Sequence, residues 1–456
     1  MHYDVIILGG GQAGTPLATR LAAAGRRVLI VERAELGGTC INVGCTPTKI
    51  MVASARAAHV ARTAARLGVQ VKDVTVDLAA VVKRKDAIVK EWRQGIEGSL
   101  HGVGDRLTLI KGHARLVGER EIEVNGERHR AETVILNVGA RAAVPEIPGL
   151  AAVPFLDNQR LMELHELPRH LLIIGGGYIG CEFGQMFRRF GSEVTILDHN
   201  EHLLSREDPE ISAALEGVFR SEGIELALSA RAESVRHAAG EVVVRTSLGK
   251  ELRGSHLLVA VGRRPNTGEL GCAAAGVALD SHGFIRVDEG YATSAPGVYA
   301  VGDVTGGPQF THTSWDDHRL LFNRLLGQDA RPRNRRSVPY AVFTDPQVAG
   351  VGLSEREAQK QGRPYEVAVM PFGDTARAVE VDETAGIMKV LIDPQSERLL
   401  GCRIVGAEAG ELIHIFVSLM EAGASARAIV DAEFVHPTFA EGVQQLVMRL
   451  KRYALS

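Results

Sequence analysis

Residues 4–32 read DVIILGGGQAGTPLATRLAAAGRRVLIVE, and residues 170–198 read HLLIIGGGYIGCEFGQMFRRFGSEVTILD. Each copy opens with an apolar run, turns through G-x-G-x-x-G and continues with an amphipathic stretch of helical spacing. Each then passes a further glycine and ends in a second apolar run closed by an acid. The glycines are Gly9, Gly11 and Gly14 in the first copy and Gly175, Gly177 and Gly180 in the second. The acids are Glu32 and Asp198, each 18 residues past its third glycine, so the two copies agree in register.

This pattern has a physical meaning. The first glycine permits a tight strand-to-helix turn, the second lets a pyrophosphate approach the backbone, and the third lets the helix pack closely on the strand. The helix N-terminus offers free N–H groups and partial positive charge to the phosphates. The closing acid accepts a hydrogen bond from a ribose hydroxyl. A lone G-x-G-x-x-G also occurs as a plain glycine turn; two in strand–turn–helix–strand context, each with its acid, predict two dinucleotide sites. Two sites suggest two cofactors, a flavin and a nicotinamide nucleotide. Asp198 is followed by His199 and Asn200 with no arginine beside them, which favours NADH over NADPH. His199 and the more distant Arg206 keep a 2′-phosphate contact open.

The bulk of the chain agrees with such a protein. Its 456 residues exceed one hydrophobic core, so several domains are expected. A net charge of −3 gives no reason to invoke nucleic acid or an acidic membrane surface. Fifty glycines and 5% aromatics suit an α/β fold with many tight turns. The apolar run Val5–Leu8 is too short for a signal-peptide core or a membrane span, and five cysteines do not make a secreted disulfide scaffold. The expected compartment is the reducing cytoplasm.

Two of those cysteines stand together in GGTCINVGCTPTK, residues 37–49, shortly after the first dinucleotide unit. A zinc site would need two more ligands at suitable spacing, and there is no second cysteine pair. A redox-active disulfide beside the flavin explains Cys40 and Cys45 better than two structural thiols do. Cys45 is placed to open a helix, whose N-terminus stabilises a thiolate. Cys181, Cys272 and Cys402 are expected as small buried residues.

GGTCINVGCTPTK resembles the signature of the class I pyridine nucleotide–disulfide oxidoreductases, the family of dihydrolipoamide dehydrogenase, glutathione reductase and mercuric reductase. GGGYIGCEFG (175–184), AVGRRPN (260–266), YAVGDVTGG (299–307), FTDPQVAGVG (343–352) and HPTFAEG (436–442) extend the likeness over nearly the whole chain. The resemblance implies an α/β protein with two Rossmann-like domains, for FAD and NAD(P), and a C-terminal α+β dimerisation domain. It implies that Cys40 attacks substrate, that Cys45 lies against the flavin as a thiolate, and that Lys49, paired with Glu182, lies near the flavin N5. Asp303 would hold the ribityl chain, with Thr39, Gly139 and Thr311 as further flavin contacts. Tyr178 would cover the flavin where nicotinamide enters, and Gly262 would join the nicotinamide-nucleotide site. Read alone, Lys49 and Glu182 are also ordinary helix charges, and Tyr178 an ordinary packing aromatic.

In FTHTSWDD, 310–317, Thr313 or Ser314 is expected to cap a helix, with Asp317 completing a capping box from Ser314. His312 resembles the dihydrolipoamide dehydrogenases, although a plain helix-entry histidine reads the same way. His436 suits acid–base work at neutral pH, and Glu441 five residues on is placed to orient it. The resemblance implies a homodimer in which His436 serves the other subunit's cysteines.

The expected layout is a flavin domain at 1–150, a nicotinamide-nucleotide domain at 151–264, a segment returning to the flavin at 265–334 and an interface domain at 335–456. The basic stretch RPRNRRSVP, 331–339, reads as a solvated linker. The mercuric reductases' extra C-terminal cysteine pair is absent, since no cysteine follows Cys402. The chain looks most like the mercuric-reductase-like branch that includes the reactive-chlorine-resistance flavoproteins, which reduce cupric ion. The expected function is NAD(P)H-driven reduction of a small disulfide or a thiol-bound metal. A dihydrolipoamide dehydrogenase is the alternative, and a redox-sensing flavoprotein a third reading.

Overall fold

The computed structural model describes residues 2–454. The chain divides into two compact units. One comprises the chain up to Ile50, Val82–Ala143 and Gly262–Arg336; the other comprises Met51–Val81, Val144–Val261 and the chain from Ser337 on.

The first unit is built on a seven-stranded sheet. Its parallel part sets Leu107–Lys111, Val28–Glu32, His2–Leu8 and Glu127–Leu136 side by side, and Val298–Ala300 also pairs with Glu127–Leu136. Val5 pairs with Val28 and Ile6 with Val134. A parallel sheet covered on both faces needs apolar side chains in both directions, so its strands are continuous apolar runs. Ile6 and Ile7 accordingly retain no exposure. Arg115–Gly118 and Glu121–Val124 add an antiparallel extension.

The second unit holds the second dinucleotide-type fold. Glu225–Ala227, Glu193–Leu197, His170–Ile174 and His256–Val259 form a parallel sheet, joined by a three-stranded antiparallel sheet over 232–254. Helix Tyr178–Phe190 is buried along most of its length. A Cβ at Gly184 would stand 2.9 Å from the Ile196 side chain, so glycine lets helix and sheet approach. The C-terminal part is a five-stranded antiparallel sheet ordered Tyr340–Val342, Gln347–Gly352, Leu399–Gly406, Ile387–Ile392 and Glu366–Pro371.

One cluster of charge in this unit is built around a buried lysine. Asp208, Glu210 and Glu355 converge as three acids able to ligate a metal. The Lys389 ammonium, 1% exposed, already bonds all three. Burial opposes that charge, but the hydrogen bonds it donates to Glu210, Glu355 and Asp208 carry the lysine above its usual range. The cluster is a filled ion pair: its cation is a side chain.

Two expectations are corrected. Helix Thr311–Leu325 begins three residues before Ser314, with Phe310 at its N-cap and no side-chain cap. Asp317 cannot complete a capping box because its carboxylate is committed elsewhere: it accepts the Gly302 N–H at 2.8 Å and the Tyr291 hydroxyl at 2.8 Å. The 331–339 stretch is also more than a solvated linker. Arg336 keeps 6% side-chain exposure and reaches Asp317 at 2.6 Å, while Arg333 donates to Thr305 at 2.9 Å. Guanidinium groups find buried carboxylates there that sequence proximity does not reveal.

Candidate active site

The two glycine turns behave alike. Gly9 and Gly175 have φ of 105° and 115°, the left-handed region where a side chain is strained. A Cβ at Gly14 would run into the Gly9 carbonyl, and one at Gly180 into the Gly175 carbonyl. A Cβ at Gly177 would meet nothing within 4 Å. This open, glycine-lined helix entrance fits a pyrophosphate.

The closing acids bind back to the turns. Glu32 accepts the Gly10 N–H at 2.7 Å and the Ala34 N–H at 2.8 Å. Asp198 accepts the Gly176 N–H at 2.5 Å through one oxygen, and Asn200 N–H and side-chain amide at 2.7 and 2.8 Å through the other. Each acid is thereby oriented before any ribose arrives, and keeps lone pairs for its hydroxyls. Asn137, which the motif does not announce, donates to the Gly9 carbonyl at 3.0 Å.

The dithiol lies against the first turn. Gly37 and Gly38 have φ of 95° and 61°, and a Cβ on Gly38 would stand 2.8 Å from the Gly11 Cα. The glycine pair before Cys40 is therefore a requirement of close approach. The Gly37 N–H donates to the Gly10 carbonyl at 2.8 Å, and Asn42 ties the loop by donating to the Leu36 and Gly38 carbonyls, both at 2.9 Å. Cys40 and Thr39 lie on the short helix Gly38–Val43, and Cys45 opens helix Cys45–Thr63. Between them, a Cβ on Gly44 would press on the Thr39 carbonyl at 2.8 Å. Thr48 bonds back to the Gly44 carbonyl at 2.7 Å and closes the first turn.

Neither cysteine is in a disulfide; Cys40 is half-buried and Cys45 exposed. The Cys45 sulfur lies 3.2 Å from the Thr311 hydroxyl, at the first residue of helix Thr311–Leu325. A hydrogen bond with Cys45, then burial, hold the Cys40 thiol far above the usual thiol range; the Thr311 and Thr46 hydroxyls pull the other way. A thiol in this setting keeps its proton at neutral pH. Cys181, Cys272 and Cys402 are buried, as expected.

Asp303 sits in the turn Gly302–Thr305, 3.2 Å from the Arg263 guanidinium. Burial pushes its carboxyl up and Arg263 pulls it down. Arg263 also donates to the Ala140 carbonyl at 2.6 Å, and its Nε is buried without a partner among the described residues. Gly139 and Gly262 have φ of 67° and 130° around the ribbon that pairs Ala140–Ala142 with Arg263–Pro265. This carboxylate beside glycine-rich backbone fits a polyhydroxylated chain, so the first unit suits a flavin dinucleotide.

The remaining residues are placed as follows. Lys49 lies one turn after Cys45 on the same helix, half-buried. Glu182 is 4% exposed and accepts the Phe343 N–H at 2.8 Å. Tyr178 begins its helix and is 38% exposed. The His312 ring stacks on Phe310, with centroids 5.2 Å apart. His436, exposed, meets the Glu441 carboxylate through Nδ1 at 2.8 Å. Glu441 is largely buried, at the start of helix Glu441–Met448.

A doubly nucleotide-binding α/β protein with a dithiol beside one glycine turn is a disulfide oxidoreductase in architecture. The chain belongs to the pyridine nucleotide-disulphide oxidoreductase family: that family's profile matches residues 3–317, and its dimerisation domain matches 338–447. It is thus a flavoprotein oxidoreductase of a family that uses FAD and a pyridine nucleotide. It is 36% identical to the probable pyridine nucleotide-disulfide oxidoreductase RclA of Escherichia coli, over 98% of this chain and 99% of that one. It is 37% identical to the dihydrolipoyl dehydrogenase of Thermus scotoductus, over 99% and 98% of the two chains. A mercuric reductase of Staphylococcus aureus is 34% identical, over 97% of this chain and 81% of that one. Among solved structures, a Cu(II) complex of the HOCl-induced flavoprotein disulfide reductase RclA superposes with a TM-score of 0.89 at 35% identity, covering 97% of this chain and 99% of that one. Among the described residues, no helix is long and apolar enough to cross a membrane.

Proposed function

We propose that this chain is an NADH-dependent cytoplasmic reductase that passes electrons through FAD and the Cys40–Cys45 pair to a small disulfide or a thiol-bound metal ion. The observation that carries the reading is the packing of Gly38 on Gly11, which sets the dithiol loop against the first dinucleotide turn. Residues 1–150 and 265–334 serve the flavin, 151–264 the nicotinamide nucleotide and 335–456 a homodimer. Cupric ion is the metal acceptor put first, because similar structures were solved as Cu(II) complexes.

Bound flavin supplies the two-electron relay between nicotinamide and the Cys40–Cys45 disulfide. The chain's residues do the rest. His436 of the partner subunit, oriented by its Glu441, takes the Cys40 proton. The Cys40 thiolate attacks one sulfur of a substrate disulfide, and the leaving thiolate receives that proton. Cys45 then attacks the Cys40 sulfur, frees the second substrate thiol and closes the internal disulfide. With cupric ion, closing that disulfide supplies two electrons and reduces two Cu(II) to Cu(I). Lys49 and the N-terminus of helix Thr311–Leu325 offer positive charge to the reduced relay.

Anaerobic titration with NADH tests this reading. A long-wavelength absorbance band is expected after two electrons, with NADPH less effective; flavin bleaching with no such band would overturn it. The Asp198 carboxylate suits ribose hydroxyls and repels a 2′-phosphate. Asp198→Ala is therefore expected to reduce the NADH-over-NADPH ratio of kcat/KM by about tenfold or more. An unchanged ratio would remove Asp198 from the selection. The 37% identity to a dihydrolipoyl dehydrogenase favours a second reading, oxidation of a dihydrolipoyl dithiol with NAD. Rapid NAD reduction by dihydrolipoamide would establish it, and a negligible rate would dismiss it.

A further inference from the structure

The Gly302–Asp303 turn is held from behind by a buried ion pair. Asp317 is 1% exposed, and its two oxygens receive three donors. One oxygen accepts the Gly302 N–H at 2.8 Å; the other accepts the Tyr291 hydroxyl at 2.8 Å and an Arg336 nitrogen at 2.6 Å. Arg336 reaches Asp316 with its other terminal nitrogen at 3.1 Å. The turn has little freedom: Gly302 has a φ of 74°, and a Cβ there would stand 3.1 Å from both Asn137 Oδ1 and Ser314 Oγ. Arg336 is the cationic partner that compensates the buried Asp317 carboxylate, 2.6 Å away. Asp317 in turn lies close enough to Asp303 for its negative charge to oppose that residue's ionisation.

We propose that Arg336, acting through Asp317, is a positioning residue for the flavin: it fixes the Gly302–Asp303 turn in the shape that presents Asp303 to the ribityl chain. The inference rests on the flavin reading of Asp303 given above. Without Arg336, the Asp317 carboxylate is buried beside Asp303 with only two neutral donors. Having lost its cationic partner, the carboxylate then shifts toward water, and the Gly302 N–H loses its fixed acceptor.

The test uses full-length protein stripped of flavin, titrated with FAD by flavin fluorescence and separately with ADP. ADP can occupy the Gly9–Gly14 and Glu32 region but has no ribityl chain. For Arg336→Met, the FAD dissociation constant is expected to rise about tenfold or more while ADP binding is unchanged. Arg336→Met combined with Asp317→Asn removes both charges and is expected to recover most of the FAD affinity. Arg336→Lys keeps the charge and is expected to fall between, which keeps the test open if the methionine variant does not fold. Equal FAD affinity in wild type and variants overturns the inference. Parallel loss of FAD and ADP binding also overturns it, because that marks general unfolding. If the wild-type apoprotein binds ADP but not FAD, the flavin reading itself fails and takes this inference with it.

Discussion

Cys45→Ala is expected to lower NADH-driven disulfide or Cu(II) reduction by about a thousandfold or more, and to remove the long-wavelength band. In the proposed cycle Cys45 has two tasks that no neighbour can take over. It would resolve the mixed disulfide on Cys40, and its sulfur stands at the helix start beside Thr311, where a thiolate is favoured. Cys40→Ala makes a useful contrast. It also loses turnover, since the attacking thiol is gone, but Cys45 keeps its helix-terminal position and the band is expected to persist. Steady-state rates with spectra of the reduced forms check both variants. Substantial activity in Cys45→Ala would mean that the acceptor is reduced without the dithiol.

The second large effect concerns His436. Its imidazole is exposed and bonded to a largely buried Glu441, the arrangement of an oriented base awaiting a group from outside. His436→Ala is expected to lower kcat/KM for a disulfide by about 10²–10⁴-fold. Flavin reduction by NADH should be untouched, since that half-reaction needs no thiol proton transfer to substrate. Glu441→Gln keeps the geometry and loses the supporting charge, so a smaller loss is expected. Co-expression of Cys45→Ala and His436→Ala chains decides where the base acts. If His436 serves the partner subunit, each mixed dimer contains one intact site, and a random mixture is expected to regain about a quarter of wild-type activity. No recovery would place the histidine and the cysteines in the same chain's site.

What was readable in the chain followed from short-range rules. Strand, glycine turn, helix, strand and acid lie within 29 residues in each copy, and local backbone sterics alone demand glycine at Gly9 and Gly175. The same held for GGTCINVGC, whose spacing sets Cys45 at a helix start, and for His436 and Glu441, five residues apart. The cofactor class, the place of Cys45 at a helix start and the His436–Glu441 contact were therefore legible without coordinates. Tertiary structure decided what depends on partners far apart in the chain. The reason for Gly38 is Gly11, 27 residues earlier, and Asn137 reaches Gly9 from 128 residues away. Asp317 looked like part of a local capping box, yet its carboxylate serves Gly302, Tyr291 and Arg336. The basic 331–339 stretch looked solvated for the same reason: composition reports a charge, and only the fold shows whether water or a buried carboxylate receives it.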